Sequence, residues 1–471
     1  MSPTRTMAVV FAVVGFACAA LALTMGDGAR AAPGPRSVSA GAHAAAWSAR
    51  RVPQPIVDAV GAQRLQAALT EAIGATPACV VVDTGGAAIA SIGPDVPLIP
   101  ASTQKLLTSA VALAVLGPDT TLQTKVVAPA APSDGVAEKL FLVGGGDALL
   151  GTPALQTELD AVAETRGTTI TPLATLADGI VANGVKRIPG GIVADDSRYE
   201  ALRYLPTWKD SYRTDGQVGP VGALTVDRGF RVFRPQPDPV EDPGLYAVEQ
   251  LTTMLTARGV SVGRPAGRGT APAGGVDVAT VASRPMTDVV AEVLRNSDNL
   301  GSEMLLREIG LRVAQAGTTA AGGTALIAEL GSLGLDTTGA VVVDGSGLDR
   351  GDRTTCRILA AAVGLGAQPE FAALWNGLPV AGQSGTLVDE LRGTPLDGKL
   401  RAKTGSLDGV TGLAGLVDVG RPLRFAFLAN GEFTERGGID LRGRIAAVIA
   451  TYPDAPPADT LVPRPDARTA P

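Results

Sequence analysis

Histidine is almost absent from this sequence. Its single histidine, His43, lies near the N-terminus in a stretch rich in small residues. A Ser-His-Asp triad in the body of the chain is therefore excluded, and so is a metal site built on histidines. A hydrolase with this sequence would need Lys, Tyr, Asp or Glu as its base, or a cysteine as its nucleophile.

Aromatic and charged residues are also scarce, at 4% and 18% of the chain. The 40 basic residues are balanced by 46 acidic ones, for a net charge of −6, which argues against a nucleic-acid partner or a polybasic membrane patch. The hydrophobic share of 45% is that of a globular protein, and 471 residues are enough for two or three domains.

The N-terminus has the pattern of an export segment. Arg5 precedes an apolar run over residues 7–25, and a small-x-small cleavage sequence follows at 29–31. This pattern predicts a signal peptide over residues 1–31. Because the apolar run is long, an uncleaved membrane anchor is the alternative. In both cases the body of the chain is expected to be exported to the cell envelope.

Only three cysteines occur, and one of them, Cys18, lies inside the apolar run. Cys79 and Cys356 remain in the exported part. Two cysteines outside the cytoplasm are expected to form one disulfide, and two unpaired buried thiols are the alternative.

The rest of the chain divides by composition. Residues 32–52 are of low complexity and are expected to form a linker, and the Pro-rich residues 454–471 are expected to form a loose tail. Two strands early and three late, with a helix at each end, predict one antiparallel sheet flanked by helices over 53–119 and 281–453. Residues 120–280 are rich in strands and turns and too long to be a loop, so they are expected to form an inserted domain or two small ones. The fold class is therefore α/β, of the α+β kind.

Three short motifs occur in order along the predicted catalytic part. They are S-x-x-K at Ser102 and Lys105, S-x-N at 297–299, and K-T-G at 403–405. Each is weak alone, but all three in this order are expected by chance in roughly one chain in a thousand. Ser102 and Lys105 share one helix face, so the lysine amine can reach the serine hydroxyl.

Each motif also has an ordinary structural interpretation. Ser102 and Lys105 alone would favour an N-capped helix with a solvated lysine. The 297–299 run alone favours a turn between helices, and 403–405 alone an edge-strand lysine. The order of the three motifs outweighs these separate interpretations.

The motif set resembles that of the penicillin-recognising serine enzymes. More narrowly, residues 55–452 resemble the D-alanyl-D-alanine carboxypeptidase/endopeptidase family, peptidase family S13 or class C low-molecular-weight penicillin-binding proteins. The resemblance implies a penicillin-binding, serine β-lactamase-like transpeptidase fold with a large strand-rich insertion between the first two motifs. Further stretches that fit the family are 143–147, 191–199, 344–353 and 382–387.

The resemblance also implies roles for the residues of the first two motifs. Ser102 would be the nucleophile, and Lys105 its base, with a pKa lowered by burial and by the nearby Lys403 ammonium. Ser297 would relay a proton to the leaving group. Asn299 would position the substrate amide and Lys105.

The third motif is implied to bind the substrate. Lys403 and Thr404 would hold the substrate carboxylate, and Gly405 would leave room for the substrate backbone. The backbone N–H groups of Ser102 and Ser406 would form the oxyanion hole. Asp195, favoured over the neighbouring Asp196, would line a side pocket for the amine of a diaminopimelate side chain, although an Asp there could equally cap a turn.

The expected substrate is therefore a peptidoglycan stem peptide ending in D-Ala-D-Ala, with β-lactams as covalent inhibitors and no cofactor. A β-lactamase on the same scaffold and a non-catalytic wall-binding protein are the alternatives. Two other features are interpreted structurally: 344–347 as a tight turn, and Glu303 with Arg307 as an i,i+4 pair on a solvated helix face.

Overall fold

The structure, a computed structural model, describes residues 54–265, 267–418 and 420–453. The predicted signal peptide or anchor, the linker, the tail and His43 lie outside the described residues. From Val57 onward the described part of the chain forms one compact unit. Within it, no single helix is both long and apolar enough to cross a membrane. The bent pair Cys356–Leu365 and Pro369–Asn376 has the length and composition of a membrane span when its two parts are taken together.

The helices of this part of the chain are, in order, α1 Gln54–Ile73, α2 Gln104–Leu116, α3 Pro153–Ala161, α4 Ala174–Ala182, α5 Ser211–Thr214, α6 Pro243–Ala257, α7 Met286–Arg295, α8 Asn299–Ala314, α9 Thr319–Ser332, α10 Cys356–Leu365, α11 Ala372–Asn376 and α12 Glu435–Ile449. The strands are β1 Ala78–Asp83, β2 Ala88–Ile92, β3 Gln123–Ala128, β4 Leu140–Val143, β5 Leu150–Gly151, β6 Thr171–Pro172, β7 Arg187–Ile188, β8 Ile192–Asp195, β9 Phe230–Val232, β10 Asp238–Pro239, β11 Ser261–Val262, β12 Gly267–Arg268, β13 Val276–Ala282, β14 Leu400–Leu407, β15 Val410–Asp418 and β16 Pro422–Asn430.

One five-stranded sheet joins both ends of the described chain. Its order is β14-β15-β16-β1-β2, and every neighbouring pair is antiparallel. Alternate residues of β1 enter two cores: Val80 and Val82 pack with α1 and α12, whereas Val81 packs with α2 and α10. The predicted antiparallel sheet flanked by helices is confirmed.

A disulfide bridge ties this sheet to its helical layer. Cys79 in β1 and Cys356 at the start of α10 are bonded, with their Cα atoms 5.8 Å apart. Both cysteines are fully buried. The bridge therefore holds α10 against the sheet across a sequence separation of 277 residues.

A second five-stranded sheet lies in the region predicted as an insert. Its order is β12-β8-β4-β3-β13, with β12, β8 and β4 parallel and β3 antiparallel to both β4 and β13. Residues of α4 and α6 pack on it in a separate hydrophobic core. The last strand continues to Ala282, past the predicted boundary at 280.

The 297–299 run links α7 to α8, as the sequence predicts. The Asp298 side chain caps α8 by accepting the Gly301 N–H at 3.1 Å. The prediction of a solvated face on α8 is wrong, because Glu303 and Arg307 are both fully buried. Glu303 Oε1 accepts backbone N–H groups of the 344–347 turn, and Arg307 donates to the backbone carbonyls of Glu200 and Leu202, between β8 and α5.

Candidate active site

Ser102 lies in a single 3-10 turn, Ala101–Thr103, just before α2. It does not cap the helix: Thr103 is the N-cap residue, and its hydroxyl donates to the Pro100 carbonyl at 2.7 Å. Ala101 adopts a left-handed backbone with φ of 47°, which is strained for a residue with a Cβ. A Cβ added at Gly347 would lie 1.9 Å from the Ala101 carbonyl oxygen, so only glycine allows the 344–347 turn to pack against the serine's turn.

Lys105 contacts Ser102 and two acceptors at once. Its Nζ lies 2.8 Å from Ser102 Oγ, 2.6 Å from Asn299 Oδ1 and 2.7 Å from the Ser346 carbonyl oxygen. The Asn299 and Ser346 oxygens can only accept hydrogen bonds. A neutral amine would give its two N–H groups to these two oxygens and point its lone pair at the Ser102 hydroxyl.

The electrostatics of Lys105 favour that neutral form. The side chain is fully buried, and burial lowers the pKa of the Lys105 amine from 10.5 to about 8. The Asp344 and Glu303 carboxylates oppose this shift and raise the pKa of the amine. Burial is therefore the larger effect, and it brings Lys105 close to the pKa that a general base requires.

Ser297 and Asn299 line the cleft beside Ser102. Ser297 has a left-handed backbone with φ of 55°, in the turn between α7 and α8. Asn299 uses both ends of its amide: Oδ1 accepts from Lys105, and Nδ2 donates to the Gln217 carbonyl at 2.7 Å. Asn299 therefore connects the lysine to the inserted region.

The K-T-G run lies on β14, the edge strand of the first sheet, as the sequence predicts. A Cβ on Gly405 would lie 2.8 Å from the Pro100 carbonyl oxygen, so this glycine lets the strand approach the serine's turn. Thr404 Oγ1 is hydrogen-bonded to Thr386 Oγ1 at 3.0 Å.

Lys403 is the second buried lysine of the motifs. It is fully buried, and its Nζ donates to the Thr404 carbonyl at 2.9 Å. Burial, followed by the charges of Lys105 and Arg442, lowers the pKa of the Lys403 amine well below its ordinary value. Thr404 and Ser406 line the cleft, whereas Lys105 and Lys403 are both fully buried and are not among its lining residues.

The motifs open into one cleft of about 1090 Å³. One side contributes the motif residues Ser102, Ser297, Asn299, Thr404 and Ser406. The other side comes from the inserted region. The lining residues of that region include Lys209, Tyr212, Gln217, Arg228, Phe233 and Arg234.

Asp195 is not brought to this cleft. Its Oδ1 accepts the Ser197 hydroxyl at 2.6 Å and the Ser197 N–H, and its Oδ2 accepts the Ala271 N–H at 2.7 Å. These bonds fit the turn-capping alternative; Asp195 is not among the residues lining the cleft, and its role in a side pocket stays a prediction.

Three residues at the site belong to none of the three sequence motifs. Glu303 Oε1 accepts the N–H groups of Gly345 and Ser346 at 3.0 and 2.8 Å, which holds the turn whose carbonyl meets Lys105. Its position four residues after Asn299 was a usable signal, because i and i+4 share a helix face. Arg442 of α12 and Glu390 line the cleft beside Ser406, and no spacing in the sequence predicts them.

Comparison with known proteins agrees with this geometry. A model of the D-Ala-D-Ala carboxypeptidase 3 (S13) family matches residues 62–239 and 234–452. The D-alanyl-D-alanine carboxypeptidase of Actinomadura sp. (strain R39) is 30% identical, over 80% of this chain and 82% of the relative. Carboxypeptidase DacB of Mycolicibacterium smegmatis is 33% identical, over 77% of this chain and 78% of the DacB sequence.

A structural relative shares the fold. Penicillin binding protein 4 from Haemophilus influenzae superimposes with a TM-score of 0.68 at 20% identity, covering 82% of this chain and 98% of that protein. A second structure of it, complexed with a β-lactam, gives a TM-score of 0.64. The family match spans most of the chain and the relatives align over most of their own length, so the chain belongs to the D-Ala-D-Ala carboxypeptidase (S13) family and is a peptidase of that family.

Proposed function

We propose that the protein is a serine-type D-Ala-D-Ala carboxypeptidase and endopeptidase that hydrolyses peptidoglycan stem peptides through an acyl-enzyme on Ser102. One observation carries the proposal: the Nζ of a fully buried lysine lies 2.8 Å from Ser102 Oγ, and its two other contacts are pure acceptors. This is the arrangement of a nucleophile beside its base.

In the first step Ser102 Oγ attacks the carbonyl carbon of the penultimate D-Ala, and its proton moves to Lys105 Nζ. The backbone N–H groups of Ser102 and Ser406 stabilise the oxyanion. The C–N bond then breaks, and Ser297 relays the proton to the amine of the departing D-Ala. Water hydrolyses the remaining ester and frees Ser102.

The substrate is held by the other motif residues. Asn299 positions both the substrate amide and Lys105, which its Oδ1 contacts at 2.6 Å. The terminal carboxylate faces Thr404 and Ser406, which line the cleft. Lys403 is the further partner assigned to that carboxylate, and its Nζ also donates to the Thr404 carbonyl at 2.9 Å.

The same chemistry makes β-lactams covalent inhibitors, because the lactam carbonyl presents Ser102 with a similar electrophile whose leaving group stays attached. The place of action is the cell envelope, with the N-terminal segment serving either as a cleaved signal or as a membrane anchor.

Fluorescent penicillin labelling of the purified protein, followed by mass-spectrometric mapping, tests the proposal. We expect one label, on Ser102, and none in Ser102→Ala. A label on another residue would refute the mechanism. The lifetime of the adduct separates the peptidase from a β-lactamase: the peptidase holds the adduct for minutes to hours, whereas rapid turnover would favour the β-lactamase.

A further inference from the structure

A second cavity lies beside the catalytic cleft. It has a volume of about 860 Å³, and its walls come from two segments of the inserted region, residues 204–214 and 231–249. Lys209 and Tyr212 line both this cavity and the cleft. The two spaces therefore meet at these two side chains, and one extended ligand can occupy both.

The first segment gives the cavity rings and hydrogen-bond donors. Three of the chain's five tyrosines line the cavity, Tyr204, Tyr212 and Tyr246, although aromatic residues make up only 4% of the sequence. Such a concentration of rings beside a few polar groups is typical of ligand sites. The guanidinium of Arg213 lies 5.7 Å from the centroid of the Tyr204 ring, and it forms no ion pair with a residue that the structure describes. Its N–H groups are therefore available to a ligand.

The second segment adds acceptors. Asp238 and Glu241 are exposed, and within the described part of the chain their carboxylates have no hydrogen-bond or ion-pair partner. The neighbouring Asp242 is already paired with Arg268. The cavity thus offers free donors and free acceptors together. An N-acetylated sugar matches both sets, because its hydroxyls donate and accept and its acetamido group adds one N–H and one carbonyl. A purely anionic or purely cationic ligand would leave one set unmet.

The proposed substrate brings a sugar to this place, because in peptidoglycan the stem peptide is joined by its N-terminus to an N-acetylated amino sugar. With the terminal carboxylate at Thr404 and the scissile carbonyl at the Ser406 N–H, the peptide runs along β14 toward Asp408, about 7 Å beyond Ser406. The roughly four residues before the scissile bond span about 13 Å when extended. The sugar therefore lies beyond Asp408, which pairs with Lys209 where the cleft meets the second cavity.

We propose that the second cavity is a carbohydrate subsite, which binds the N-acetylated amino sugar at the N-terminal end of the stem peptide. The inference rests on the proposed function, since it extends the same substrate beyond the cleft. Arg213 donates to hydroxyl and acetamido oxygens, and Asp238 and Glu241 accept from the hydroxyl and N–H groups. The tyrosine rings supply apolar surface for the C–H groups of the sugar. The subsite contributes to binding and not to the chemical step.

The test compares two substrates that share one pentapeptide ending in D-Ala-D-Ala. One carries the N-acetylglucosaminyl–N-acetylmuramyl disaccharide at its N-terminus, and the other carries an acetyl group. We expect the wild type to prefer the disaccharide peptide at least about tenfold in kcat/KM for D-Ala release. The double variant Asp238→Ala, Glu241→Ala should lower kcat/KM for the disaccharide peptide about 5- to 50-fold, the range for two lost hydrogen bonds, mainly by raising KM. Its kcat/KM for the acetyl peptide should change less than about twofold.

Two further variants sharpen the test. Arg213→Met removes the donors at similar side-chain length and should give the same selective loss. Glu71→Ala is the matched control, because Glu71 is an exposed carboxylate of α1 outside the cleft and the second cavity, and it should leave both substrates unchanged. Equal kcat/KM of the wild type on the two substrates would overturn the subsite. Equal losses on both substrates in the Asp238→Ala, Glu241→Ala variant would also overturn it, because the cavity would then bind the peptide itself or only support the fold.

Penicillin labelling separates the two levels of the proposal. Penicillin carries no sugar, so the variants should be acylated at Ser102 at the wild-type rate. Failure of the wild type to be labelled at Ser102 refutes the proposed function. Normal labelling together with no preference for the disaccharide peptide refutes only the carbohydrate subsite.

Discussion

The two sides of the cleft are built differently. The catalytic wall, formed by Ala101–Thr103, residues 296–299 and β14, is backed by fully buried polar groups at hydrogen-bond distance. The insert wall, formed by the lining residues of 209–237, presents exposed side chains such as Lys209 and Gln217. It reaches the catalytic wall through the Gln217 carbonyl and through an Arg228–Asp298 ion pair at 3.5 Å.

This difference suggests that the catalytic wall carries out the chemical step and that the insert wall accommodates the substrate. Buried polar groups interact strongly, because little water screens them. Removing the hydrogen-bond partner of such a group has a large cost in free energy. Exposed side chains on the insert wall can move and exchange partners with water. Substitutions in the catalytic wall should therefore change the chemical step by orders of magnitude, whereas those in the insert wall should change it little.

The largest effect is expected for Lys105→Arg. A guanidinium remains protonated at any pH where the protein is folded, so it cannot take the proton of Ser102. Acylation of Ser102 by fluorescent penicillin should slow by about 10²–10⁴-fold, the usual contribution of a general base. Lys105→Met, which is neutral and of similar length, is the matched control and should lose as much. Acylation by Lys105→Arg within about tenfold of the wild type would assign the base to another residue.

The pH dependence of acylation should follow the same lysine. With the pKa of Lys105 lowered to about 8, the amine is mostly protonated below that pH and neutral above it. The rate of acylation should rise with pH and level off above pH 8. At pH 6 it should be about a hundredfold below the plateau, as one proton per active site requires.

The profile needs one control, because burial, followed by the charge of Asp344, raises the pKa of Glu303 to about 8 as well. Because the charge of Glu303 also raises the pKa of Lys105, the pKa observed in the wild type reflects both groups. In Glu303→Gln this second titration is removed, and the rise with pH should persist. A flat profile in that variant would show that the wild-type titration comes from Glu303 and not from Lys105.

A smaller effect is expected for Glu303→Ala. Its loss leaves the Gly345 N–H without its acceptor, leaves the Ser346 N–H only its bond to Asp344 Oδ1 at 3.1 Å, and loosens the carbonyl that meets Lys105. A buried group left without its partner costs about 1–3 kcal/mol, so acylation should slow roughly tenfold. Glu303→Gln keeps the acceptor oxygen and should restore the rate at pH 7, where the wild-type side chain is mostly neutral. Equal losses in both variants would show that the charge matters and not the acceptor.

The catalytic wall was largely predictable from sequence, whereas its supports were not. The three motifs are short and local, and their order along the sequence was enough to predict that Ser102, Lys105 and Asn299 lie together. Glu303 and Arg307 were misjudged because an i,i+4 charge pair is typical of solvated helices, and local spacing does not reveal that α8 is surrounded by protein.

Arg442 and Lys403 show a second limit. Arg442 meets Ser406 only because α12 returns beside β14, a contact set by the packing of distant elements. Lys403 and Thr404 are assigned together to the substrate carboxylate by resemblance, although the pleat of the strand points successive side chains to opposite faces. Thr404 lines the cleft, and the role of the buried Lys403 stays a prediction.

The smallest effect is expected at the point where the two walls meet. Asn299 Nδ2 donates to the main-chain carbonyl of Gln217, and the Gln217 side chain is exposed. Gln217→Ala keeps this carbonyl, so acylation should change by less than about twofold, as for most surface substitutions. Asn299→Ala, at the other end of the same hydrogen bond, also removes an acceptor of Lys105 and should be far slower. A large loss in Gln217→Ala would mean that a side chain of the insert wall takes part in the chemical step, and the separation between the walls would fail.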